Sequence, residues 1–199
     1  MINIGVTQRH LVLNSNDTYD ALEITLSPYF IELNLSIVPI PSYFGSSNTD
    51  LEFDSWLQNH EIKGFLLSGG GDPFKVDTRY RLEDKVLSKA KLKRFPVFSI
   101  CRGLERIVIH EGGQLINCLN HINATIDLSG DINGSVKCFH NLTISKLPDQ
   151  FRVTSFSNDN LIESVVHKNL PWEGCMWHPE RSVTRNLELD ARLIKLFHG

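Results

Sequence analysis

The sequence predicts an α/β fold: a mostly parallel central sheet flanked by helices, with a more antiparallel second half. Three observations predict it. Between Met1 and Gly113 short apolar runs alternate with amphipathic stretches across brief connections, the pattern of strands joined by helical crossovers. Two of those runs, Gly64–Leu67 (GFLL) and Pro96–Ile100 (PVFSI), are apolar almost throughout, as strands covered on both faces must be. From Lys137 to Trp177 strand-like runs follow one another with only turn residues between them, which favours antiparallel neighbours.

Ile2–Val6 is the first strand, closed by Thr7-Gln8-Arg9-His10. From Asp17, a side chain suited to an N-cap, Tyr19, Leu22, Leu26, Phe30 and Leu33 recur at helical spacing, with Pro28 marking a kink or break. Leu35–Ile40 is a second strand ended by Pro41, followed by a loop over Ser42–Asp50 and a short helix over Leu51–Asn59. Gly64–Leu67 runs into Ser68-Gly69-Gly70-Gly71-Asp72-Pro73, and Glu83–Arg94 sets Val86, Leu87, Ala90 and Leu92 among lysines as an amphipathic helix. Pro96–Ile100 meets Cys101 abruptly, and Leu104, Ile107 and Val108 open a helix that stops at Gly112-Gly113. Gln114–Ile116 is a short strand, while residues 117–135, rich in Asn, Asp, Ser and Gly, promise the least regular structure. Lys137–Ser145, Phe151–Phe156, Ile162–Val166 and Cys175–Trp177 complete the strands, and Leu187–Phe197 is a final amphipathic helix.

Size and composition bound the function. At 199 residues the chain fits a single domain over 1–199 with an ample core. A net charge of −3 gives no electrostatic reason to expect nucleic acid or a membrane surface as partner. No apolar run approaches the roughly 20 residues that span a bilayer, and MINIGVTQRH lacks the basic-then-apolar pattern of a signal peptide. The four cysteines (Cys101, Cys118, Cys138 and Cys175) show no C-x-x-C spacing and are too sparse for a disulfide scaffold, so a reducing cytoplasm is the expected location. Nothing in the sequence fixes the oligomeric state.

Three stretches carry chemistry. Ser99-Ile100-Cys101-Arg102-Gly103 lies between a buried strand and a helix, so Cys101 occupies a nucleophile elbow with small neighbours on either side. The helix N-terminus there favours a thiolate. Met176-Trp177-His178-Pro179-Glu180 puts an imidazole just past a strand end with a carboxylate two residues on, a base and its orienting acceptor. The glycines of 68–73 follow another buried strand and let backbone N–H groups approach a ligand, as an oxyanion hole requires; the phosphate-cradling G-x-x-x-x-G-K-[ST] pattern is absent.

In order and spacing, S-I-C-R-G-L-E, the G-G-Q-L after it, the G-G-G-D loop before it and C-M-W-H-P-E resemble the class I glutamine amidotransferase-like superfamily, most of all its free-standing γ-glutamyl hydrolase branch. The resemblance covers nearly the whole chain. It implies a flavodoxin-like sheet, a triad of Cys101, His178 and Glu180, and an oxyanion hole from the N–H groups of Gly70 and Arg102. A substrate site including Gly69, Arg102, Glu105, Ser155 and Phe156 is implied as well. The implied reaction is hydrolysis of a γ-glutamyl amide through a thioester, releasing L-glutamate, with no metal and no organic cofactor. Within the branch the short chain resembles hydrolases of a nucleotide-linked substrate, γ-glutamyl-CDP-amidate, whose other product is cytidine diphosphoramidate for capsule synthesis. The alternatives are simple γ-glutamyl amines as substrates, a glutaminase subunit that feeds ammonia to a separate synthetase, and a non-catalytic binding module.

The chain departs from the family at three places. Ser99 stands where Gly is usual, and Glu105 stands four residues after the Cys where Gln is usual; a carboxylate there would accept from a substrate ammonium more strongly than an amide. The family's S-x-H is matched to Ser155-Phe156-Ser157, which loses a substrate-side histidine. Elsewhere, His110, His121 and His140 show no i, i+4 spacing and no completing cysteine, so no metal site is expected from them. Cys118, Cys138 and Cys175 are expected in the core, Trp172 and Trp177 to pack, and Arg9, His10, Arg102 and Arg181 to lie near the strand ends, where an anionic leaving group would meet them.

Overall fold

The computed structural model describes residues 1–14 and 17–199. In chain order the elements are β1 (Ile2–Thr7), β2 (Arg9–Leu13), β3 (Asp17–Ala21), α1 (Leu26–Glu32), β4 (Leu35–Ile40), α2 (Asp50–Asn59), β5 (Gly64–Leu67), α3 (Thr78–Lys93) and β6 (Val97–Ile100). There follow α4 (Arg102–His110), β7 (Gln114–Asn117), β8 (Ala124–Gly130), β9 (Gly134–Cys138), β10 (Leu142–Lys146), β11 (Phe151–Ser157), β12 (Ile162–His167), β13 (Trp172–Cys175) and α5 (Leu187–His198). Nine strands form one sheet in the order β4-β1-β5-β6-β13-β12-β11-β8-β9. The five from β4 to β13 are parallel to their neighbours, and every pair from β13 to β9 is antiparallel. The predicted class and its change of character midway are both present.

Alternation explains why β5 and β6 are apolar at nearly every position. Leu66, Phe98 and Ile100 point to one face, against Phe30, Leu193 and Phe197. Phe65, Leu67 and Val97 point to the other, against Leu82, Val86 and Ile107. Because β5, β6 and β13 are adjacent and parallel, with Leu67 opposite Ser99 and Cys175 opposite Ile100, the three loops that leave their C-terminal ends emerge side by side. Those loops are the glycine stretch, the Cys101 elbow and the His178 segment. No helix among the described residues is long and apolar enough to cross a membrane.

Several expectations are corrected. Asp17–Ala21 is not the start of a helix but a strand paired antiparallel with Arg9–Leu13, and the helix is confined to Leu26–Glu32. Pro28 sits in its first turn, where a missing N–H costs nothing, so it starts the helix rather than breaking it. The helix expected over Glu83–Arg94 begins at Thr78, because Asp77 caps it by accepting from the Tyr80 N–H. Residues 117–135 include β8, whose Ile126 and Leu128 alternate into the core. Lys137–Ser145 is two strands, β9 and β10, in different sheets, and the break between them carries Phe139, His140 and Asn141. The last strand ends at Cys175, leaving Met176 and Trp177 buried but outside it.

Candidate active site

Cys101 joins β6 to α4 with φ 52° and ψ −113°, a left-handed φ rare for any side chain but glycine and the signature of a strained elbow. The bend is tied down: the Cys101 N–H donates to the Cys175 carbonyl at 2.7 Å. At Gly103 a Cβ would collide with the Leu67 carbonyl oxygen, so only glycine lets α4 start this close to β5. Burial pushes the Cys101 thiol up to about 12, the carboxylate of Glu105 adds to this, and the Arg102 N–H opposes it by hydrogen bonding at the sulfur. Burial thus outweighs the helix N-terminus expected to favour a thiolate, and the thiol needs a base to become a nucleophile.

His178 follows β13. Its Nδ1–H donates to Glu180 Oε1 at 2.6 Å, with both side chains almost wholly buried. That bond fixes the tautomer and leaves the Nε2 lone pair free. A Cβ built on Gly69 would lie 2.6 Å from His178 Cε1, 3.2 Å from its Nε2 and 3.5 Å from Cys101 Cβ, so only glycine leaves open the space beside the ring and the elbow. Cys101, Gly70, Arg102 and His178 line one cavity of about 240 Å³; Glu105, Phe139, His140, Asn141 and Arg181 complete its walls together with Gly71.

The glycine loop is oriented by a residue that no sequence motif marks. Arg79 donates from Nη2 to the Ser68 carbonyl and from Nη1 to the Gly70 carbonyl, both at 2.6 Å, and also reaches the Gly69 carbonyl at 3.3 Å. Since a trans peptide sets N–H opposite C=O, drawing three successive carbonyls to Arg79 turns the N–H groups of Gly70 and Gly71 away from it. Arg79 is held in turn by Glu83, fully buried, at 2.9 Å. Glu83 also accepts from Arg102 Nη1 at 2.5 and 2.6 Å and faces Arg106 Nε at 3.4 Å. The i, i+4 spacing of Arg79 and Glu83 is visible in the sequence, but such pairs usually sit on exposed helix faces.

The expected substrate residues divide. Glu105 lines the cavity, its pKa raised to about 7 by burial against the lowering pull of His140 and Arg102. Arg102 lines it too, but its guanidinium is committed to Glu83, leaving its backbone as the part available to a ligand. Gly69 adjoins a small cleft with His178, Glu180, Arg9 and Arg181. Ser155 and Phe156 do not line the cavity: β11 stands three places from β6 in the sheet, roughly 14 Å at about 4.8 Å a strand. The buried Ser155 hydroxyl bonds that of Ser164, and Phe156 is 40% exposed. The imidazole on that side comes from His140, in the break between β9 and β10. Of the four residues expected near the strand ends, His10 is tied to Asp77, whereas Arg9 and Arg181 share the carboxylate of Glu23 at 3.5 and 3.0 Å and Arg181 Nε also faces Glu180 Oε1 at 3.8 Å.

Behind the His140 wall lies a second buried cluster. His121, Cys138, His140 and Glu163 place one ligand atom each within 4.8 Å of the others. The expectation that no cysteine completes a site around these histidines is thereby corrected. The sheet topology joins residues whose spacing in the chain carries no sign of it.

Residues 15–195 match the family described as glutamine amidotransferase class-I. A γ-glutamyl-CDP-amidate hydrolase of Campylobacter jejuni is 30% identical over 189 residues, 89% of this chain and 90% of that protein. A glutamine-hydrolysing GMP synthase of Francisella tularensis is 25% identical over 142 residues, 66% of this chain but only 27% of that longer protein. Among solved structures, a glutamine amidotransferase from Thermotoga maritima superposes with a TM-score of 0.66 at 16% identity, covering 99% of this chain and 82% of that one.

Proposed function

Since the chain belongs to the class I glutamine amidotransferase family, we propose that it hydrolyses a γ-glutamyl amide through a thioester on Cys101, with γ-glutamyl-CDP-amidate as the substrate. The observation that carries the reaction is that a cysteine at a strained elbow and an oriented imidazole line one cavity. His178 Nε2 takes the thiol proton as sulfur attacks the γ-carbonyl carbon, and the developing oxyanion is met by the N–H groups of Gly70 and Arg102. The C–N bond then breaks as His178 returns the proton to the departing nitrogen. Water, deprotonated by the same imidazole, attacks the thioester, the C–S bond breaks and glutamate leaves with the thiol restored. Glu180 holds the ring and stabilises its charged form without taking its proton.

The nucleotide-linked substrate rests on the Campylobacter jejuni relative, which spans nearly the same length, and on two arginines beside the catalytic histidine. Arg9 and Arg181 line the cleft beside His178, and although Glu23 and Glu180 face them, their guanidiniums are donors there that can fork onto a diphosphate. A second reading, a glutaminase that passes ammonia to a synthetase, is favoured by similarity to the GMP synthase. Glutamate release from γ-glutamyl-CDP-amidate, L-glutamine and a γ-glutamyl alkylamine distinguishes them. The nucleotide substrate is expected to give a kcat/KM at least about tenfold above the others, since buried polar contacts discriminate strongly. Equal or better turnover of the alkylamine removes the nucleotide claim, and glutaminase activity that requires an added synthetase replaces it with the second reading.

A further inference from the structure

The chain's second buried cluster has the composition and spacing of a metal centre. His140 Nδ1–H donates to the Leu142 carbonyl at 2.8 Å, so its Nε2 is left as a lone pair. His121 Nε2–H donates to the Asp159 carboxylate at 3.1 Å, so its Nδ1 is left as a lone pair too. Those two nitrogens face each other at 3.2 Å, and Glu163 Oε1 lies 2.9 Å from His121 Nδ1 and 3.3 Å from His140 Nε2. With both rings neutral, three acceptors converge on one point, so the cluster needs protons or a cation to join it. Glu163 Oε1 is buried without a hydrogen-bond partner, its side chain wholly inaccessible. Cys138 Sγ closes the group, 3.6 Å from Glu163 Oε2.

We propose that His121 Nδ1, His140 Nε2, Cys138 Sγ and Glu163 bind one divalent transition-metal ion, zinc foremost. Donors about 2.0–2.3 Å from a tetrahedral zinc stand roughly 3.3–3.7 Å apart; here the two imidazole nitrogens and Glu163 Oε1 lie 2.9–3.3 Å from one another, and with Cys138 Sγ the whole set stays within 4.8 Å, so small side-chain shifts close it on an ion. Two imidazoles, a thiolate and a carboxylate select a borderline cation over calcium or magnesium. The charge of the ion cancels that of one carboxylate and one thiolate, which removes the cost of an unpaired buried anion. Outer partners are in place as well: Asp159 and the Leu142 carbonyl orient the two rings, as outer hydrogen-bond acceptors do in zinc sites.

Four donors and no accessible face make this a closed, structural site rather than a reacting one. It ties together the turn after β7, the end of β9, the β9–β10 break and β12. The break is the wall of the catalytic cavity: the Phe139 ring lies 5.7 Å from that of His178 and under the Arg181 guanidinium. The ion therefore fixes one wall of that cavity, and this holds whichever amide is the substrate.

The test is elemental analysis of protein purified without a metal-affinity tag, in wild type and in Cys101→Ala, where zinc on the nucleophile is impossible. About one equivalent of zinc per chain is expected in both, falling below about 0.1 in Cys138→Ser and His121→Asn. Cobalt-substituted wild type should show a thiolate-to-cobalt charge-transfer band, a readout that needs no variant to fold. A chelator should lower the Tm of wild type. Protein that is metal-free and takes up neither zinc nor cobalt overturns the proposal, leaving a cluster held by protons. Metal lost from Cys101→Ala, or a cobalt complex without the thiolate band, overturns it equally.

Discussion

Two fully buried carboxylates flank the cavity, and they are satisfied in opposite ways. Glu83, beneath the glycine loop in the parallel half, is met by Arg79, Arg102 and Arg106. Even Arg79, whose pKa burial draws down to about 10 against the pull of Glu83, stays charged at neutral pH. Glu163, behind the opposite wall in the antiparallel half, is met by two imidazoles and a thiol, groups whose charge depends on a proton or a metal. The first cluster is complete as the chain folds. It holds the glycine loop through Arg79 and, through Arg102, the first residue of the elbow helix. The second is complete only when something else joins it, and it holds the wall opposite. One half of the site is set by the chain alone, the other by the chain and its surroundings.

The largest effect belongs to neither wall. Cys101→Ala should lower turnover about 10⁴-fold or more, because nothing else in the cavity supplies a nucleophile; residual hydrolysis near the wild-type rate would remove the thioester altogether. Next comes Glu83→Gln, which takes the carboxylate from the buried guanidiniums of Arg79 and Arg102, while Arg106 keeps Asp84. Breaking a buried ion pair costs about 3–5 kcal/mol, so the Tm should fall by roughly 10 °C for a chain of this size. That difference from wild type should be the same with and without chelator. A chelator-dependent difference would mean the two clusters are coupled and the contrast between them is false. Arg79→Lys is milder: an ammonium has three donors on one atom and cannot span three carbonyls and Glu83 as the guanidinium does. kcat should drop about 10- to 100-fold through a misaimed oxyanion donor, with KM little changed. A KM effect alone would assign the loop to binding instead.

The unequal legibility of the two halves has the same physical root. Cys101 can be found in the sequence because a nucleophile elbow is a local bend, written in Ser99, Gly103 and the apolar run before them. His178 and Glu180 can be found because ring and acceptor lie two residues apart. Glu83, Arg79, Arg102 and Arg106 sit at helical spacings that in most proteins mean a solvated face, and only the fold reveals that this face is buried. Phe139 to Asn141 are hidden because Lys137–Ser145 alternates evenly enough to pass for one strand. β8 is hidden because polar residues surround Ile126 and Leu128, although their period-two spacing is present. The β2–β3 hairpin is hidden by Tyr19, Leu22 and Leu26, which imitate a helix. Pairings made over long sequence separations leave no local period to find.

Glu105 stands where both walls act on one group, and so provides the finest test of the contrast. Burial raises its pKa to about 7, while positive charge at His140 on one wall, carried by a proton or by the proposed ion, and Arg102 on the other pull it down. Below that value the carboxyl is neutral and has little hold on a substrate ammonium; above it the carboxylate accepts a charge-assisted bond. In wild type KM should therefore fall about tenfold between pH 6 and pH 8, and in Glu105→Gln it should stay flat. Stability runs the other way. The unfolded chain ionises this group near its ordinary value of 4.5, the folded chain only near 7, so ionisation favours unfolding and stability is lost as pH rises through that window. Glu105→Gln should then melt higher than wild type at pH 8 and converge with it near pH 4.5. Parallel profiles in both KM and Tm would mean that Glu105 is either ionised throughout or turned away from the substrate, and that the two walls do not meet at this carboxyl.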